Sequence, residues 1–136
     1  MNRRDFLSLT AAVSLVPALA RADAMDYSPG LVTKALADGK TVFLDFKASW
    51  CSTCARQERV INTLRTENPA YDEYITFINV DWDQHSQSEL AKSLRIPRRS
   101  TLVVLKGDEE LGRIVAGTSK SDIQALMNTA LTAATA

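Results

Sequence analysis

Net charge is missing from this chain: 16 basic residues balance 16 acidic ones, so there is no basic field for general nucleic-acid binding. Metal-ligating residues are scarce. Two cysteines and one histidine in 136 residues cannot complete a four-ligand zinc centre without several carboxylates. Nor do two cysteines make a disulfide-dense scaffold. No apolar run reaches the roughly 20 residues that a membrane-spanning helix needs. Five glycines and four prolines exclude a collagenous or low-complexity chain. What is present, 46% hydrophobic and 24% charged residues, is an ordinary globular composition in a length that suits one domain.

The first 24 residues read as an export signal rather than as fold. Arg3-Arg4-Asp5-Phe6-Leu7 opens it, and residues 7–19 are apolar and small over about the length of a signal core. Ala18-Leu19-Ala20 and Ala22-Asp23-Ala24 each place small residues at the −3 and −1 positions of a cleavage site. The paired arginines resemble a twin-arginine signal, and the mildly hydrophobic core with Ser8, Thr10 and Ser14 suits that route, as does Arg21. A general secretory signal that contains two arginines is the alternative. Both predict a periplasmic protein whose domain spans residues 25–136, with no stable membrane insertion after cleavage, in an oxidising compartment.

Beyond the signal, helix and strand patterns alternate. Ser28-Pro29 reads as a helix start, Leu31, Val32, Ala35 and Leu36 as its apolar face, and Gly39 as its stop. Residues 41–46 are rich in strand formers and apolar on both faces, as in a central strand. A helix is predicted over 51–68, with Val60, Ile61 and Leu64 inward and Pro69 beyond its end. Residues 75–80 form a second buried strand. Ser86-Gln87-Ser88-Glu89 has the spacing of a capping box and opens a helix carrying Leu90, Ala91 and Leu94. Strands over 101–105 and 111–115 flank a Gly107-Asp108 turn. Ser119 caps a last helix holding Ile123, Leu126, Met127 and Leu131, and 132–136 is a frayed tail. Trp82 and His85 fall in a polar stretch that reads as a solvated loop. The order α-β-α-β-α-β-β-α predicts an α/β domain, with a four-stranded mixed sheet flanked by helices.

The chemistry lies in Trp50-Cys51-Ser52-Thr53-Cys54, where a strand hands over to a helix. The free N–H groups and positive dipole end of a first helical turn stabilise a thiolate, the attacking form of cysteine, so Cys51 is the expected nucleophile. Cys54, three residues on and near the same helical face, resolves the mixed disulfide. A structural staple is the weaker reading: closing so short a loop yields about 2 kcal/mol, against about 3 for fifteen residues. A metal clip lacks a second ligand pair. Asp45 is a carboxylate inside an apolar strand, where desolvation raises its pKa and suits it to take the Cys54 proton. Lys47, on the same strand face, is its expected partner. The alternative places Asp45 at the sheet edge, facing water.

Residues 43–54, Phe-Leu-Asp-Phe-Lys-Ala-Ser-Trp-Cys-Ser-Thr-Cys, resemble the strand, buried aspartate, tryptophan and Cys-x-x-Cys of the thioredoxin family. Residues 77–81 and 101–107 are similar to its next two strands, and Ala35-Leu36-Ala37-Asp38-Gly39-Lys40 to the C-terminal domain of the bacterial transmembrane disulfide reductase. The resemblance implies a thioredoxin fold and a thiol–disulfide oxidoreductase that works on protein thiols or disulfides through Cys51 and Cys54, with no organic cofactor and no metal. It implies a monomer, fed by a membrane-bound electron donor and acting as a reductant. A periplasmic thiol oxidase, or a non-enzymatic binding or metal-carrier module, are the alternatives. Trp50, Arg99 and Ser100 are the expected substrate-binding residues. Arg98 and Arg99 are expected to be exposed and to favour acidic partners. Two departures stand out. The family's cis-proline slot falls on Ser100, with Pro97 three residues earlier as its competitor, and position 47 is lysine. Serine in that slot would turn an N–H and a hydroxyl toward the sulfurs, stabilising a Cys51 thiolate and admitting a soft metal ion.

Overall fold

In the computed structural model the described residues are 23–136, so the expected export signal lies outside them except for its last two residues. The chain runs β1 (Met25–Asp26), α1 (Leu31–Ala37), β2 (Thr41–Lys47), α2 (Ser52–Glu67), α3 (Ala70–Tyr74), β3 (Ile75–Asp81), α4 (Trp82–His85), α5 (Glu89–Ser93), β4 (Thr101–Lys106), β5 (Glu109–Val115) and α6 (Lys120–Thr135).

The strands form one mixed sheet in the order β1-β3-β2-β4-β5. β2 is central, parallel to β3 and antiparallel to β4, because the α2–α3 crossover permits a parallel partner and Gly107, at φ 61°, allows a tight return between β4 and β5. The alternation of β2 divides the core. Val42, Leu44 and Phe46 pack with Ile78, Val80 and Val103 beneath α1 and α5. Phe43 packs with Leu64, Phe77, Leu102, Ile123 and Met127 beneath α2 and α6. Asp45 shares the Phe43 face by strand period, so its carboxyl is carried under α2.

Several expectations are corrected. The sheet has five strands, not four: β1 pairs Met25 with Ile78 and Asp26 with Asn79, and two residues have no periodicity to read. Ser28 is not a helix cap. It accepts the Leu31 N–H with its backbone carbonyl, and Gly30, at φ 89°, precedes the first turn of α1. The residues after Pro69 form a short helix, α3, that the sequence reading does not include. The capping box does not form: Ser88, not Ser86, caps α5, its hydroxyl accepting the Ala91 N–H at 3.2 Å. The stretch with Trp82 and His85 is a short helix, not a solvated loop. Trp82 meets Phe46 edge-on at 6.3 Å between ring centroids, and His85 meets Tyr27 at 4.9 Å. The C-terminal residues are not frayed, because α6 continues to Thr135, with Ala130 buried and the Lys106 ammonium donating to the Ala133 carbonyl. Among the described residues no helix is long and apolar enough to cross a membrane.

Candidate functional site

The site forms where β2 ends and α2 begins. Cys51 is extended, at φ −88° and ψ 113°, and is the N-cap of α2, its sulfur accepting the Cys54 N–H at 3.2 Å. The chain therefore uses a sulfur where a helix commonly uses a serine or aspartate oxygen. A sulfur in that position gains most when it is anionic, because a free N–H and the helix dipole both point at it. Cys54 follows one turn on, with its Cα 5.2 Å from that of Cys51, and the two are joined as a disulfide. Both are buried, in a cluster with Ala48 against which Trp82 packs from α4.

Ser100 faces both sulfurs. Its Oγ lies 3.2 Å from Cys51 Sγ and 3.1 Å from Cys54 Sγ, and the residue is fully buried. Pro97 is exposed. No cis peptide bond occurs among the described residues, so the Arg99–Ser100 bond is trans. One part of the expectation fails: the Ser100 N–H does not point at the sulfurs but donates to the Phe46 carbonyl at 2.7 Å. Only the hydroxyl is presented.

Asp45 is buried rather than at a sheet edge, and its Oδ1 has no hydrogen-bond partner. Burial pushes its pKa up to about 7; the Lys47 charge pulls the other way and the Glu58 charge adds to the rise. Lys47 is not its ion-pair partner as expected. The Lys47 ammonium reaches across to the Glu58 carboxylate on α2 at 3.0 Å, because Glu58 is half-exposed and costs less to hold charged than a buried carboxylate. Two cavities lie nearby, of which Asp45 lines the smaller. One of about 240 Å³ is lined by Asp45, Glu58, Ile61, Asn62 and Arg65, and one of about 540 Å³ by Lys47, Cys51, Cys54, Glu58, Asp81 and His85, among others. Glu58 borders both.

Trp50 stands at the rim, 60% exposed. Its indole N–H donates to the Asp83 carboxylate, at 3.1 and 2.9 Å to the two oxygens, and the Arg99 guanidinium lies 4.4 Å over its ring. Arg98 and Arg99 are half-buried, not exposed, and the buried Arg99 Nε has no hydrogen-bond partner. Trp50, Arg99, Ser100 and the two cysteines therefore form one neighbourhood. Sequence reasoning missed Gln57, Glu58 and Asp83. Gln57 lay within reach of it, since a residue three positions after Cys54 shares its helical face. Asp83 had no such signal, because its place depends on the unforeseen α4. Among the described residues no three of His, Cys, Asp and Glu lie together as metal ligands.

A thioredoxin family model matches residues 31–129. Thioredoxin H2-1 of rice is 34% identical over 90 residues, covering 66% of this chain and 60% of its own length, so the chain spans less than two thirds of that relative. A thioredoxin of Mycobacterium tuberculosis is 29% identical over 89 residues, covering 65% of this chain and 72% of the relative. Of solved structures, Trxlp from Edwardsiella tarda superposes with a TM-score of 0.66 at 30% identity, covering 76% of this chain and 98% of its own. A thioredoxin from Malassezia sympodialis gives 0.67 at 26%, covering 81% and 95%. Proteins of this kind act through their own cysteine pair without a cofactor. The matched span contains β2, the Cys51–Cys54 pair at the head of α2, and the strand after Ser100, and the chain belongs to the thioredoxin family.

Proposed function

We propose that this protein is an exported thiol–disulfide oxidoreductase that reduces disulfides of periplasmic proteins and is recharged by a membrane-bound electron donor. The observation that carries the thiol chemistry is the Cys51 sulfur serving as N-cap of a 16-residue helix. The Cys51 thiolate attacks one sulfur of a substrate disulfide; that bond breaks, and the departing thiolate takes a proton from water. Cys54 passes its proton to Asp45, whose pKa of about 7 suits a general base near neutrality. The Cys54 thiolate then displaces the second substrate sulfur from Cys51, and that sulfur leaves as a thiolate that takes up the proton given up by Asp45, through water, as the Asp45 carboxylate is restored. Two electrons leave the dithiol and the substrate disulfide becomes two thiols. The donor restores the dithiol with two electrons and two protons.

Trp50 and Arg99 border the substrate approach. The Arg99 charge, stacked on Trp50 with no carboxylate within ion-pair distance among the described residues, favours substrates with an acidic residue near the disulfide. Direction is tested by the reduction potential of the Cys51–Cys54 couple, measured by equilibration with glutathione or dithiothreitol. A reductant is expected near the thioredoxin value of about −270 mV. A potential near −120 mV, that of a strong oxidant, would replace this reading with a thiol oxidase.

A further inference from the structure

Ser100 and Gln57 form a unit that the steps above leave unused. Ser100 has φ 65°, in the left-handed region that a residue with a side chain rarely enters because its Cβ crowds the backbone. Its backbone is held on every side. The N–H donates to the Phe46 carbonyl at 2.7 Å, and the carbonyl accepts from the Ala116 N–H at 2.8 Å and from Gln57 Nε2 at 2.9 Å. Gln57 is itself fully buried on α2, and the same Nε2 donates to the Gly117 carbonyl at 2.9 Å. One amide thus ties the helix that bears the cysteines to the segment before β4 and to the segment after β5. The conformation held in this way delivers the hydroxyl to a point 3.2 Å from one sulfur and 3.1 Å from the other. Disulfide sulfurs carry no hydrogen, so the hydroxyl is the donor, and its single hydrogen has two acceptors at nearly equal distance.

We propose that Ser100 is a catalytic residue that serves both sulfurs in turn, its hydroxyl hydrogen turning to whichever sulfur is anionic, and that Gln57 is the positioning residue that keeps it within reach of both. The proposal rests on the thiol–disulfide reading above and supplies what stabilises each thiolate. In the reduced protein the hydroxyl donates to the Cys51 thiolate. Attack on the substrate turns the Cys51 electron pair into a new S–S bond, and the negative charge leaves on the departing substrate thiolate. When Cys54 has given its proton to Asp45, the hydroxyl hydrogen swings to Cys54. Attack by that thiolate on Cys51 Sγ forms the intramolecular disulfide and expels the second substrate thiolate. Ser100 exchanges no proton and changes no oxidation state. The switch needs only rotation about the Cβ–Oγ bond, which the fixed backbone does not impede. Hydrogen bonds to an ionised partner are roughly twice as strong as neutral ones, so the bond is strongest at whichever sulfur is about to attack.

Two substitutions test this in the full-length protein. Ser100→Gly keeps the left-handed backbone and deletes the hydroxyl. Gln57→Met keeps the side-chain length and deletes the amide donor. The readouts are the pH dependence of Cys51 alkylation by iodoacetamide and the release of the first and second thiolates from a small aromatic disulfide in a single turnover. Ser100→Gly is expected to slow alkylation at pH 6 about tenfold and to slow both thiolate releases. Gln57→Met moves the same three rates in the same direction, and the double variant is no slower than Ser100→Gly alone, because Gln57 acts through the hydroxyl. Unchanged rates in Ser100→Gly would overturn the proposal. So would a Gln57→Met protein that melts at a lower temperature but keeps the wild-type alkylation profile, since that is the mark of a purely structural glutamine. Failure of the wild-type dithiol to reduce the aromatic disulfide at all would instead remove the redox reading of the cysteines, a result independent of either substitution.

Discussion

Asp45 carries a cost that its neighbours only partly offset. Its Oδ1 is buried with no hydrogen-bond partner, and the nearby lysine is engaged with Glu58. The carboxyl therefore resists ionisation, with a pKa raised from 3.8 to about 7, mainly by burial. A group that binds its proton more tightly folded than unfolded favours the native state below the unfolded pKa, and that advantage is lost as pH rises toward the folded value. Wild-type stability should thus decline between pH 4 and pH 7, relative to a neutral isostere, by on the order of 4 kcal/mol at most. Asp45→Asn, compared with the wild type by urea denaturation of the oxidised proteins, is expected to be the more stable at pH 8 and to lose that margin at pH 4. A margin that is the same at both pH values would mean that the carboxyl is solvated and ionises freely. The position of Asp45 was legible because a lone carboxylate in Val42-Phe43-Leu44-Asp45-Phe46 must be either buried at a cost or turned to an edge. The partner of Lys47 was not, because strand alternation relates 45 to 47 but says nothing about which residue of α2 comes to lie above them.

At the scale of elements, legibility followed length. β2, β3, β4 and α2 each repeat an apolar pattern over several residues and were placed from the sequence with boundaries shifted by a residue or two, while α6 was placed at its start but runs on to Thr135 through the small-residue stretch read as a frayed tail. β1, α3 and α4 have 2, 5 and 4 residues, too few for any period to show, and they are held by tertiary contacts: β1 by its pairing with β3, α3 by Tyr71 in the core, and α4 by Trp82 against the cysteine cluster. The start of α5 shows how a motif can match and still mislead. Ser86-x-x-Glu89 has the spacing of a capping box, but Ser86 closes α4, its N–H bonded to the Trp82 carbonyl, and so is not free to open the next helix. Ser88 takes that role two residues later. Ser88→Ala is therefore expected to cost about 1 kcal/mol in thermal or urea denaturation, and Ser86→Ala to fall within a few tenths of the wild type. The reverse ranking would restore the capping box. The same logic explains why the cysteine pair could be placed from sequence while Ser100 and Pro97 stayed in competition. The cysteines head a long helix whose start is marked, whereas the position of Ser100 depends on bonds to Phe46, Gln57 and Ala116 from three separate parts of the chain.

For the whole molecule, those same long-range bonds bear on the export proposed above. The site is complete only when β2, the head of α2, the Ser100 segment and the turn after β5 have all come together, so an unfolded chain has two cysteines but no assembled active site. A twin-arginine signal, which serves proteins that fold before crossing, suits such a molecule: the fold would form in the reducing cytoplasm with Cys51 and Cys54 as thiols, and the disulfide would form only on the far side of the membrane. A general secretory signal would deliver the chain unfolded, with its cysteines exposed to oxidation before the helix that controls them exists. The residues that decide between these routes are Arg3 and Arg4, because a twin-arginine signal depends on the guanidinium pair, whereas a general secretory signal needs only positive charge before its apolar core. Changing both to lysine preserves that charge. The double variant Arg3→Lys with Arg4→Lys is expected to accumulate as unprocessed precursor inside the cell, with both thiols open to alkylation, while the wild type is processed and oxidised outside the cytoplasm. Normal processing of the double variant, followed by pulse labelling and cell fractionation, would assign the signal to the general route and require the thioredoxin domain to fold after translocation.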